Sequence, residues 1–202
     1  MIGNRLEQSI IGLFQNDLSA TYSINTLSKK LHKAYPYINK KVNFFIKEGI
    51  LHKISVGRSY QCFLNMHSDK TKILLSINEL NRQEQFLARN QDFAVIITEL
   101  QHISPRIGIR LALVHEKTLI LVLDDMTQKQ HAAGLVSLLR TYHVEFLDKE
   151  HFGDYLLRNT ALQKEHVILF NIHHHLAVME DLQGQILING PSALSASKKK
   201  IV

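Results

Sequence analysis

Pro36 and Gly49 constrain this chain more tightly than any other pair of residues in it. Proline is tolerated in the first turn of a helix, where its missing N–H has no intrahelical partner, and glycine readily takes the left-handed conformation just past a helix end. The residues between them, from Tyr37 to Glu48, include no other breaker. They read as a helix of about three turns. With Ile38 set at zero and about 100° per residue, Val42, Phe45 and Ile46 gather beside it as a buried stripe. Tyr37, Lys40, Asn43, Phe44 and Lys47 then point outward.

The flanking residues supply further elements. Leu6, Ile10, Leu13 and Phe14 are spaced for an amphipathic helix over 5–15, with Asn4 as its cap and Asn16-Asp17 as its stop. A second helix begins near Ser23 or Asn25, turns Leu27 and Leu31 inward, leaves Lys29, Lys30 and Lys33 on its open side, and ends before Pro36. After Gly49, residues 50–54 and 60–64 flank a turn over 55–59 with Arg58 at its tip, the pattern of a β-hairpin. Helix, helix, helix, hairpin over residues 4–65, with the Glu48-Gly49-Ile50-Leu51 exit and the Gly57-Arg58-Ser59-Tyr60 tip, resembles the winged helix-turn-helix of archaeal and bacterial transcription factors. The resemblance implies double-stranded DNA as partner, with the third helix in the major groove and the hairpin as the wing.

Charge points the same way. Residues 1–66 hold nine Lys/Arg against three acids, whereas residues 67–202 hold fifteen of each, so the whole excess of six lies in the first third. That is the distribution of a chain whose first part meets a polyanion; a merely solubilising face is the plain alternative. On the outward helix face, Asn43 suits adenine, and Lys40 and Lys47 suit guanine or phosphate. Lys41, Lys29, Lys30, Lys33, Lys53 and Arg58 would grip the backbone. Tyr37 belongs to the same face. Phe44 fits it poorly, since a large apolar ring in a groove must meet thymine methyls, the wing or a protein, so RNA or a ribonucleoprotein stays open as the partner.

Several classes are disfavoured. A single cysteine, Cys62, makes no internal disulfide and no Cys-x-x-Cys. No apolar run is long enough to span a bilayer and the first residues do not form a signal peptide, so the expectation is a cytoplasmic protein without a membrane partner. Phosphate-loop, dinucleotide, nucleophile-elbow and zincin motifs do not occur.

Beyond Met66, Ser68 to Gln91 reads as a connecting helix, of a kind that often dimerises or packs between domains, and residues 92–102 as a helix or a buried strand, with helix preferred. Past Pro105, residues 107–114 and 118–123 form a hairpin closed by Asp124-Asp125. A helix over 127–140, a strand over 144–147, a helix capped by Asp148 and an apolar run over 166–172 follow. Residues 144–158 and 162–170 in this order resemble the late strand, helix and closing strand of the minimal nucleotidyltransferase-like domain often fused to archaeal winged helices. Active members of that family carry Gly-Ser after the first hairpin strand and Asp-x-Asp in the second, to hold phosphates and two magnesium ions. Here Val114 runs straight into His115-Glu116-Lys117, and Glu145 is the best third acid. The resemblance therefore implies a fold without its reaction, and no cofactor is expected.

His173-His174-His175, helped by His166 or His143, is the alternative metal set, although neighbours on a strand face opposite ways. The expectation is an α/β (α+β) chain: a winged helix over 1–66, a connecting helix over 67–91, a nucleotidyltransferase-like α/β domain over 92–190 and a loose basic tail over 191–202. It would act as a homodimeric, non-enzymatic DNA-binding regulator, its second domain serving dimerisation or effector binding. An RNA-binding adaptor, and a nucleotidyltransferase or toxin–antitoxin component, are the alternatives.

Overall fold

A computed structural model describes residues 5–57, 59–136 and 142–189. The chain is mixed α and β and divides into two compact units: Met1–Asn78 with Met179–Val202, and Glu79–Val178. Among the described residues no helix is long and apolar enough to cross a membrane.

The first unit opens with α1 (Arg5–Gln15), α2 (Ile24–Leu31) and α3 (Tyr35–Lys47). Ser23 caps α2 by accepting the Thr26 N–H, and Pro36 sits in the first turn of α3. Gly49, at φ 72°, lets the chain turn out of α3 while Ile50 donates its N–H to the Phe45 carbonyl at 2.9 Å. Ile38, Val42 and Phe45 are fully buried, together with Ile10, Ile11 and Phe14 of α1. Ile46 is only half-buried, so the stripe on α3 is one residue narrower than expected.

The hairpin is longer than its sequence pattern implied. β1 (Leu51–Val56) pairs antiparallel with β2 (Ser59–Leu64), and the register runs from Leu51↔Leu64 to Val56↔Ser59. The strands reach Val56 and Ser59, so the connection is shorter than residues 55–59. Gly57 has φ 60°, which suits the tight turns that match strand twist. Arg58 lies outside the described residues. On the far side of β2, Tyr22 and Cys62 exchange two backbone hydrogen bonds of 2.9 Å.

The first unit is closed by chain from far away in sequence. The Gln183 amide donates to the Leu64 carbonyl at 2.8 Å and accepts the Met66 N–H at 3.0 Å. Glu180 holds His67 at 2.8 Å and Lys72 at 2.7 Å. The last helix, α9 (Ile172–Asn189), thus supplies residues to this unit, and α4 (Asp69–Leu87) supplies its first ten.

In the second unit, α5 (Asp92–Ile107) precedes β3 (Ile109–His115) and β4 (Thr118–Leu123), and α6 (Lys129–Val136) follows a single 3-10 turn. β5 (His143–Asp148), α7 (Lys149–Arg158), α8 (Thr160–Glu165) and β6 (Val167–Phe170) lead to α9. The sheet order is β5-β4-β3-β6, with β4 and β5 parallel and the other pairs antiparallel. Phe93, Ile96 and Leu100 of α5 pack with Ala112, Leu119 and Leu121 of the central strands.

Two sequence expectations change here. α5 passes through Pro105 and stops at Gly108, φ 64°, whose N–H bonds the Ser104 carbonyl at 2.9 Å; glycine, not proline, sets the end. The apolar run over 166–172 splits, because Asn171 at φ 62° ends the strand and starts α9, so the three histidines lie on a helix rather than a strand. The helix read over 127–140 is described only as far as Val136, and the tail over 191–202 lies outside the described residues.

Candidate nucleic-acid interface

Tyr37, Lys40, Asn43 and Lys47 are all exposed on one face of α3. Ten residues separate the first from the last, so the row runs about 15 Å along the helix. Tyr37 is 69% exposed, and Tyr35 shares its end of the helix. Asn43 is held by both of its amide groups: it donates to Asn39 Oδ1 at 2.9 Å and accepts from the Tyr60 hydroxyl at 3.4 Å. Sequence reasoning missed Asn39 and Tyr60. The four-residue spacing of Asn39 and Asn43 was visible in advance, but the reach from β2 was not.

Lys29 and Lys30 are exposed in the last turn of α2, and Lys30 lies over the Tyr22 ring at 5.5 Å. Lys33, expected on the same helix, lies two residues beyond its end, after His32 has turned left-handed at φ 50°. Lys53 is exposed on β1, its ammonium 5.8 Å from the Tyr60 ring centroid. Among the described residues Lys29, Lys30, Lys33, Lys40, Lys47 and Lys53 make no ion pair.

Lys41 is different. It pairs with Glu7 of α1, whose carboxylate is 1% exposed, and so serves the interior of the unit more than its surface. Its ammonium also lies 5.6 Å from the Phe44 ring centroid. Phe44 is half-buried beside Phe45, their centroids 6.0 Å apart, which relieves the difficulty of an apolar ring facing a groove. Cys62 is buried in β2, and burial pushes its thiol up to about 11, leaving it unreactive at neutral pH.

The second unit's acidic and histidine sets do not converge. Glu116 occupies the β3–β4 turn at φ 53°, and Glu145 accepts the Tyr155 hydroxyl at 2.8 Å. Asp125 caps the 3-10 turn through the Thr127 N–H, while Asp124 pairs with Arg110 at 2.6 Å and Lys149 at 3.4 Å. These contacts hold both aspartates below the usual carboxylate range. On α9, His173 is exposed, His174 half-buried and His175 fully buried, so one ion cannot reach all three. His175 instead faces His166, ring centroids 4.6 Å apart. Among the described residues no three His, Cys, Asp or Glu side chains are placed to hold a metal ion, so these residues do not fit a magnesium pair.

No protein-family model, no curated protein and no solved structure matches this chain.

Proposed function

We propose that the chain is a DNA-binding regulator whose first unit is a winged helix: α3 enters the major groove, and α2 and the β1–β2 wing hold the flanking phosphates. One observation carries this reading. Lys40, Asn43 and Lys47 stand exposed in a row on α3, and among the described residues neither lysine forms an ion pair, in a chain that pairs Lys41, Lys70 and Lys72 elsewhere. An unpaired row of cations beside an oriented amide is what phosphate positioning and base-edge contact require.

The second unit is proposed as a nucleotidyltransferase-like domain that has lost its reaction. An antiparallel β3–β4 hairpin with β5 parallel beside β4 supports that likeness, and the His115-Glu116-Lys117 turn stands where the resembled family keeps Gly-Ser. Two copies on a two-fold-related site complete the proposal, and light scattering at micromolar concentration tests that part.

Six unpaired lysines set the scale of the main test. If all six meet phosphates, log affinity for duplex falls with log salt at a slope of about −5 per copy. Lys40→Ala with Lys47→Ala flattens that slope by about 2 and weakens binding at low salt. An unchanged slope removes α3 from the interface. The exposed rings of Tyr35 and Tyr37 favour a second reading, in which the same face stacks the bases of single-stranded RNA. Competition between duplex DNA and single-stranded RNA for labelled protein separates the two.

A further inference from the structure

Within the second unit, Arg82, Gln85, Phe86 and Arg89 follow one face of α4 and the turn after it, and with Lys164 and His166 they line a cleft of about 330 Å³. That volume is at the lower end of small-molecule sites. The charge in it runs against its surroundings. Residues 79–178 hold ten Lys/Arg and twelve Asp/Glu, yet the cleft gathers Arg82, Arg89 and Lys164 against the single carboxylate of Glu165. Arg82 is anchored from behind, 3.5 Å from the fully buried Glu79. Arg89 and Lys164 are exposed and make no ion pair among the described residues, whereas Arg110 and Lys149 in the same unit share Asp124.

Helix C-termini attract lysine and arginine by themselves, and both α4 and α8 end at this cleft. Several of their terminal carbonyls, however, are already occupied. Ala88 donates to Glu84, Arg89 to Phe86 and Asn90 to Leu87, and the Asn90 side chain adds a second bond to the Phe86 carbonyl at 2.9 Å. At the end of α8, the Leu162 carbonyl accepts both the backbone N–H of His166 and its ring Nδ1–H, the latter at 2.7 Å. The partial negative charge that would favour cations and repel an anion is therefore reduced at the end of α4 and at the Leu162 carbonyl of α8. Arg89 and Lys164 remain exposed at the cleft, with the partly buried Arg82 held against Glu79 beside them.

We infer that this cleft binds a small molecule through a phosphoryl or diphosphate group, with the Arg82 and Arg89 guanidinium groups and the Lys164 ammonium as its donors. Arginine forks match phosphate oxygens two at a time, and the Gln85 amide stands among them as a neutral donor. The inference is independent of DNA binding, because it uses none of the residues of α2, α3 or the wing.

The test is calorimetric titration of the full chain with inorganic pyrophosphate at constant ionic strength. One saturable site is expected with Kd below about 1 mM. Arg89→Gln with Lys164→Gln alters two exposed side chains, leaves the melting curve in place and weakens pyrophosphate by about tenfold or more per cation removed. It leaves duplex affinity unchanged, while Lys40→Ala with Lys47→Ala does the reverse. Absence of saturation, or full binding by the Arg89/Lys164 variant, overturns the site. So does loss of duplex binding in that variant with pyrophosphate binding intact, which would make the cleft a nucleic-acid contact.

Discussion

Replacing Lys41 by methionine tests whether Lys41 is a structural cation or one of the proposed nucleic-acid contacts. Lys41 and Glu7 join α3 to α1, and removing the ammonium takes the Lys41 charge away from a carboxylate that is 1% exposed. Breaking a buried pair from one side costs about 3–5 kcal/mol. Because Lys41 is itself 29% exposed and water softens the loss, about 2–3 kcal/mol is expected. At about 4–8 °C per kcal/mol for a domain of this size, the first unit melts roughly 10–20 °C lower. Glu7→Leu added to Lys41→Met removes both charges and restores stability to within about 1 kcal/mol of the parent, since an apolar pair of similar volume replaces a buried ionic one at little cost. Thermal and urea unfolding followed by circular dichroism read both variants, and duplex affinity is measured at a temperature where each is folded. On the proposed DNA-binding reading, the double variant keeps near-parental affinity for duplex. A stable Lys41→Met protein with weakened duplex binding would refute the reasoning and return Lys41 to the phosphate-gripping set.

Three further outcomes follow from the geometry. His175 is fully buried with neither ring nitrogen hydrogen-bonded, and burial, reinforced by His166 and Arg82, holds its pKa well below the usual histidine value. The unfolded chain takes up this proton near pH 6.5 and the folded one does not, so stability is retained above about pH 6.5 and falls as pH drops below it. Urea midpoints between pH 7.5 and 5 show that slope, and His175→Phe shallows it. At Gly49 an added Cβ meets nothing within 4 Å, so Gly49→Ala acts only through its left-handed backbone and lowers stability by about 1–2 kcal/mol, while Gly49→Asn costs less. Ser23→Ala removes the α2 cap and costs about 1 kcal/mol, with faster amide exchange confined to the first turn of α2 as the readout.

Where a boundary depends on one residue's backbone chemistry, it was legible. Pro36, Gly49, Ser23 and Asp148 each mark a helix end that the structure keeps. The outward row on α3 was equally readable, because periodicity decides which side of a helix is buried. α9 was obscured because Leu176, Met179 and Leu182 are buried along a helix whose start is three histidines, so no polar stripe marks its period. Pro105 misled for a specific reason: it falls in the last turn of α5, where Gly108 ends the helix anyway. Pairings between distant side chains were beyond reach. Nothing at Glu7 announces Lys41, and nothing at His166 announces His175, because each pair is created by packing rather than spacing.

The Gln183 clamp sets a timetable for the molecule. The backbone groups of Leu64 and Met66 wait for an amide that is more than a hundred positions downstream. During synthesis, the three opening helices and the hairpin emerge early but lack this closing piece until the second unit has been made. A chain that stops short of Gln183 leaves the Met66 N–H and the Leu64 carbonyl without these two bonds, so the strand end of the hairpin is held only once α9 has been made.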